Sequence, residues 1–195
     1  MHDMIKQLEA SDLVAIYRSR IKKDFAQRER RPLFLLKRLY KAGNYSCLVY
    51  KENDYIIGYA AFIYDTEIGS VLLDYFAVDE KLRGSGYGSR FLSYLREYWN
   101  DKSGIIIESE DPDAATSADE AEQCKRRISF YERLGAEQVA EHWRMIGVDY
   151  RILRLPTGVG TQDNVAFDDL CSLYALSVPR PLRATFIRNL MRINE

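Results

Sequence analysis

The stretch Leu72-Leu73-Asp74-Tyr75-Phe76-Ala77-Val78-Asp79-Glu80-Lys81-Leu82-Arg83-Gly84-Ser85-Gly86-Tyr87-Gly88-Ser89 decides how this chain is read. An apolar strand passes through a short polar turn into a loop with three glycines in five residues, and a helix opens directly behind it. Phe91, Leu92, Leu95, Tyr98 and Trp99 recur at helical spacing, which gives that helix one apolar face. Glycines at a helix N-terminus let an anion touch the backbone, where free N–H groups and the helix dipole favour negative charge. A turn that merely starts a helix is the plainer alternative, but glycine at those positions weakens a helix.

Two familiar phosphate loops fit poorly. The P-loop needs a Lys-Ser or Lys-Thr pair after its last glycine, and none follows Gly88. The dinucleotide pattern G-x-G-x-x-G is met at Gly84 and Gly86 but has Ser89 in third place. Glu108 sits about where a ribose-binding acid is expected, yet residues 79–83 separate the strand from the glycines. A nucleotide-dependent oxidoreductase is therefore a minor alternative.

Arg83-x-x-Gly86-x-Gly88, preceded by Tyr75-Phe76-Ala77-Val78, resembles the acyl-CoA pyrophosphate loop of the GNAT N-acetyltransferase superfamily. A second patch agrees: the strand Ile105-Ile106-Ile107-Glu108 is followed by Ser129-Phe130-Tyr131-Glu132-Arg133-Leu134-Gly135-Ala136, similar to the family's helix ending in Phe-Tyr-x-x-x-Gly-Phe. Ala136 departs from the usual phenylalanine. The resemblance covers about residues 45–155 and is dense in 70–100 and 104–136.

The resemblance implies an acetyl-CoA-dependent N-acetyltransferase, with acetyl-CoA as acyl donor and direct attack by the amine in a ternary complex. It assigns the backbone of Phe76, Ala77 and Val78 to the pantetheine. It assigns Arg83, Gly84, Ser85, Gly86, Tyr87, Gly88 and Ser89 to the pyrophosphate. Tyr131 matches the family's tyrosine near the cofactor sulfur and is the candidate general acid; a core tyrosine on an amphipathic helix is the alternative. Glu108 and Asp74 are the candidate bases, provided burial raises either pKa toward neutrality; both are equally readable as solvated strand-end carboxylates. Glu110 and Glu67 are weaker candidates because they fall in loops. A GNAT-like domain that binds acetyl-CoA as a sensor without turnover is the main alternative, and it would need neither Tyr131 nor the acids.

The remaining chain is consistent with one α+β domain. Its 195 residues, 47% of them hydrophobic, suffice for a sizeable core, and a net charge of −1 gives no nucleic-acid footprint. Cys47, Cys124 and Cys171 are odd in number and far apart, which argues against a disulfide framework or zinc cluster. They are expected to be buried thiols in a reducing, cytoplasmic compartment. No signal peptide is read at the N-terminus, and no apolar run approaches a membrane span. His2 and His142 are read as packing or surface residues. The charge runs Arg28-Glu29-Arg30-Arg31 and Lys125-Arg126-Arg127 read as solvated faces.

Periodicity places strands at 4–8, 45–51, 55–65, 68–78, 104–109, 136–144 and 147–155. Helices are expected after an N-cap at Ser11-Asp12, from Leu33 to Gly43, and over 84–99 and 119–134. The short links at 52–54 and 66–67 demand antiparallel hairpins. The expected architecture is a GNAT-like mixed, mostly antiparallel sheet flanked by helices over residues 1–156. Residues 157–195 are expected to form a small helical extension over 165–177 and 181–193, packed on the domain or across a homodimer. Carboxylates at Asp74, Glu108, Glu110, Asp111 and Asp113 suggest a site that attracts a small-molecule primary amine.

Overall fold

Seven strands form one mixed sheet, ordered β1-β2-β3-β4-β5-β7-β6. They are β1 (Ile5–Gln7), β2 (Tyr45–Glu52), β3 (Tyr55–Ile63), β4 (Ser70–Val78), β5 (Gly104–Glu110), β6 (Glu137–Met145) and β7 (Val148–Pro156). The pairs β1–β2, β2–β3, β5–β7 and β6–β7 are antiparallel. With its flanking helices this is the α+β class that the sequence implies. The computed structural model describes residues 4–145, 147–158 and 165–193. They divide into two compact units: one draws on residues 1–65 and 73–95, the other on residues 66–72 and 96–195.

In the first unit, α1 (Ala10–Ile16) begins one residue before the expected Ser11-Asp12 cap. Glu9 occupies the N-cap without a side-chain hydrogen bond, so Ser11 and Asp12 lie in the first turn. A wider π-type turn over Tyr17–Ile21 leads into α2 (Lys22–Asp24), and α3 (Leu33–Lys41) follows. Leu13, Ile21, Leu36 and Leu39 from these helices are almost wholly buried, as are Leu48 and Phe62 from the sheet. Each such side chain contributes about 1.5–3 kcal/mol of burial. The β2–β3 hairpin turns at Asn53 (φ 48°) and Asp54 (φ 65°), the paired positive angles of a tight two-residue turn.

On β3, Gly58 makes room for β4. A Cβ there would stand 2.7 Å from the Ala77 carbonyl oxygen, so only glycine allows the approach. At the far end of β4, Asp79 N–H donates to the Ile57 carbonyl at 2.8 Å. The strand then enters the single turn Glu80–Leu82 and the helix α4 (Tyr87–Tyr98). The expected helix start at residue 84 is therefore three residues early. Residues 83–86 are exposed loop, because Gly84 and Gly86 adopt left-handed angles.

In the second unit, Ser103 N–H donates to the Gly69 carbonyl at 2.8 Å, and the Ser103 and Ser70 hydroxyls lie 3.3 Å apart. Both β4 and β5 start at this seam. Lys102, only 7% exposed, caps it by donating to the Ile68 carbonyl at 2.8 Å. Helix α5 (Ala118–Glu132) is capped by Ser117, whose hydroxyl accepts from the Glu120 N–H, while Glu120 accepts in return from the Thr116 N–H. Its buried stripe is Cys124, Ile128 and Tyr131.

The last two helices are α6 (Val165–Leu176) and α7 (Arg183–Ile193), with the turn Arg180–Leu182 between them. Strand pairing sets Glu108 beside Ile152, and Trp143 beside Tyr150, so all four share one sheet face. Helix α6 covers that face: the Phe167 ring meets Trp143 edge-on at 4.7 Å. Leu170, Leu173, Tyr174 and Ala175 are all buried. The three cysteines are buried free thiols, as their spacing suggested. No helix among the described residues is long and apolar enough to cross a membrane.

Candidate active site

The glycine loop is built for close approach from outside. Gly84 and Gly86 have φ of +78° and +80°, and nothing lies within 4 Å of a Cβ placed on either. These angles turn the chain sharply from β4 into α4, whose first N–H groups have no acceptor within the helix. Backbone donors, a positive helix end and open space are together the features that favour an anion. Ser85 and Gly86 are exposed, and Tyr87, Gly88 and Ser89 are half-buried. The Arg83 Nε donates back to the Val78 carbonyl at 3.3 Å, which draws its guanidinium toward the strand end.

Within the same unit, Phe76 stacks on Phe91 of α4 with ring centroids 5.4 Å apart. This contact fixes the strand's exit against the helix that carries the loop. Phe76, Ala77 and Val78 are half-buried, unlike the buried run Val71–Leu73 before them.

Asp74 is committed to internal partners. Its Oδ1 lies 2.5 Å from the Arg31 Nε and its Oδ2 accepts from the Tyr45 hydroxyl at 2.8 Å, with the side chain only 6% exposed. Burial first, and then the adjacent Asp74 charge, push the Tyr45 pKa well up, so its hydroxyl stays a donor. The Arg31 backbone is pinned as well: its N–H donates to the Tyr75 hydroxyl at 2.7 Å and its carbonyl accepts from Tyr17 at 2.9 Å. The run Arg28–Arg31 is thus not one solvated face. Arg28 is exposed, whereas Arg31 is the partner of Asp74.

Glu108 lies on β5 and accepts a hydrogen bond from the Tyr174 hydroxyl of α6. Tyr131, on the last turn of α5, is 5% exposed, and burial pushes its pKa up to about 12 against a smaller lowering by Arg127. Its phenol therefore remains protonated through the physiological range. Glu108, Tyr131 and Tyr174 belong to the second unit and Asp74 to the first.

Other sequence candidates are used elsewhere. Arg151 pairs with Asp111 at 2.9 Å and Asp113 at 2.6 Å, so two of the carboxylates counted toward a cation-attracting rim are neutralised locally. Glu67 is exposed, with a 3.4 Å contact from the neighbouring Thr66 hydroxyl. Lys125, Arg126 and Arg127 are exposed on α5, as a solvated helix face would be. His2 lies outside the described residues, and His142 falls on β6. Sequence reasoning missed Arg31 and Tyr174. Neither has a local signal, since one reads as part of a charge run and the other as one tyrosine among the leucines of α6.

Residues 43–135 match the family model described as "Acetyltransferase (GNAT) domain". Solved structures share the fold. A GNAT-family protein from Bacteroides thetaiotaomicron is 24% identical, with a TM-score of 0.61, covering 80% of this chain and 88% of its own. The ribosomal-protein-S18-alanine N-acetyltransferase from Escherichia coli is 19% identical, with a TM-score of 0.56, over 81% and 96%. Spermidine N-acetyltransferase from Vibrio cholerae, in complex with CoA and spermine, is 13% identical, with a TM-score of 0.57, over 80% and 96%. No curated protein matches the chain. Residues 43–135 are thus similar to a GNAT acetyltransferase domain, and the fold is the one these solved structures share.

Proposed function

We propose that this protein is an acetyl-CoA-dependent N-acetyltransferase that moves the acetyl group to a primary amine of a small molecule. The observation that carries this reading is the Arg83–Ser89 loop, where two left-handed glycines open the N-terminus of a 12-residue helix to an anion. Acetyl-CoA is the donor, its pyrophosphate held by the amides of this loop and its pantetheine by the backbone of Phe76, Ala77 and Val78. The CoA-bound Vibrio cholerae enzyme of the same fold supports that choice.

The chemistry needs a base for the ammonium and an acid for the departing thiolate. The amine nitrogen forms a bond to the thioester carbonyl carbon, and the carbon–sulfur bond breaks. The ammonium gives one proton to the base before attack and the nitrogen loses a second as the amide forms, while the acid supplies the proton that reaches the sulfur. Glu108 is the base of choice over Asp74, because both Asp74 oxygens are held by Arg31 and Tyr45. Tyr131 is the acid, kept protonated by its burial.

The small-molecule acceptor rests on less charge than the sequence offered, since Asp74, Asp111 and Asp113 are paired internally. Glu108 supplies the negative charge that would attract an ammonium group. Neighbours of this fold are named for acceptors as different as spermidine and a ribosomal-protein alanine, so the fold alone does not choose. The test is CoA-thiol release across polyamines, amino sugars, amino-acid derivatives and peptides. Turnover on small amines supports the proposal. Turnover confined to peptides or anionic acceptors overturns the acceptor, and acetyl-CoA binding without any turnover favours the sensor.

A further inference from the structure

We infer that Tyr174, on helix α6, is a positioning residue for the base: its hydroxyl holds Glu108, so the C-terminal extension orients the carboxylate that the second unit supplies. The inference rests on the assignment of Glu108 as base. The hydrogen bond joins residues 66 positions apart and is made by an element beyond the region matched to the GNAT domain.

The packing of α6 fixes this hydroxyl in place. Tyr174 is 5% exposed and lies between Leu173, which is fully buried, and Ala175 at 3%. Leu170 and Cys171, one turn earlier, are equally buried. Phe167 meets Trp143 edge-on, and Trp143 shares the sheet face of Glu108 through the Tyr150 and Ile152 pairings. Helix α6 is therefore anchored to the face that carries the carboxylate. A tyrosine ring has few rotamers, and here the surrounding side chains leave it little freedom.

The chemical effect has a definite sign. A hydroxyl that donates to a carboxylate favours its charged form and lowers its pKa. It also orients the carboxylate that accepts it. Loss of the donor should raise the Glu108 pKa. A base works only when ionised, so the acidic limb of the kcat/KM profile should move to higher pH.

The test compares Tyr174→Phe, Glu108→Gln, the double variant and Leu173→Ala, on the full chain with acetyl-CoA and the best amine from the acceptor screen. Tyr174→Phe should lower kcat about tenfold and move the acidic limb up by about one pH unit, the shift of a tenfold change in proton affinity. KM for acetyl-CoA should stay within about twofold. Leu173→Ala, which loosens α6 but keeps the hydroxyl, should lower the melting temperature and move the limb less than Tyr174→Phe does. Adding Tyr174→Phe to Glu108→Gln should cost nothing more, because Tyr174 acts only through Glu108. An unmoved limb in Tyr174→Phe, with Glu108→Gln abolishing it, overturns the role of Tyr174 and keeps the base. A limb retained in Glu108→Gln overturns the base assignment itself, and Tyr174 with it.

Discussion

The Arg31 Nε lies 2.5 Å from Asp74 Oδ1, joining the segment ahead of α3 to the middle of β4 across 43 residues of sequence. The two side chains are 18% and 6% exposed, so the pair is held largely out of water. With Tyr45 on the other carboxylate oxygen, Asp74 is built into the frame of the first unit.

That pairing predicts a stability effect. Removing one member of a buried pair leaves the other charge uncompensated, at about 3–5 kcal/mol when burial is complete. Arg31 is partly exposed and asparagine keeps one acceptor, so Asp74→Asn should cost about 1–3 kcal/mol in urea unfolding. Arg31→Met should cost a similar amount, and the double variant less than the sum. The acidic limb of the pH–rate profile should survive in Asp74→Asn. Its disappearance, with folding intact, would make Asp74 the base.

For the loop, the prediction concerns binding. Acetyl-CoA at about 100 times its Kd should stabilise the native protein by about 2.7 kcal/mol, seen as a rise in melting temperature. Gly86→Asp should abolish that rise. A side chain at φ +80° is strained by about 1–2 kcal/mol, and its carboxylate would occupy the pyrophosphate's place. Normal binding by a folded Gly86→Asp protein would refute the loop's role.

How much of this could be read from sequence follows the range of the interactions. The strands of the sheet and the helices α4 and α5 were legible because alternation, helical spacing and glycine act over a few residues. The Ser117 end of α5 was nearly found for the same reason, its expected start at 119 being one residue late. The loop was legible because left-handed angles at Gly84 and Gly86 are a local demand. The partners of the carboxylates were not. Arg31–Asp74 and Tyr174–Glu108 join residues 43 and 66 positions apart, and no spacing rule reaches that far. The expected cation-attracting rim counted Asp111 and Asp113 for this reason, and both meet Arg151 from β7. At α1 the error was local: Ser11-Asp12 resembles a cap, yet the helix starts at Ala10.

Tyr131 makes a prediction about pH. Tyr131→Phe should lower kcat by about 10²–10⁴ while leaving acetyl-CoA affinity nearly unchanged. Burial raises the phenol's pKa to about 12, so the acid is protonated below that value and ionises only as pH rises through it. Wild-type kcat should therefore show no alkaline limb from Tyr131 below about pH 10, the ordinary tyrosine value. An intact kcat in Tyr131→Phe, with chemistry rate-limiting, would return Tyr131 to a core-packing role.

Helix α6 carries the last prediction. Phe167 meets Trp143 of β6 edge-on, Tyr174 bonds Glu108 of β5, and Leu170 and Leu173 are wholly buried. A chain ending at Thr157 would bare the wholly buried Trp143 together with Ile152, which is 2% exposed. Apolar surface of that kind drives association. The shortened protein should aggregate or unfold several degrees lower, read by light scattering and thermal melting. Phe167→Ala is the milder probe. Phe167 is half-buried, so its loss should cost about 1–3 kcal/mol, below the 3–5 of a fully buried phenylalanine. A shortened chain that stays monomeric and equally stable would mean that α6 adds nothing to the second unit, and the burial of Trp143 beneath Phe167 argues for the opposite outcome.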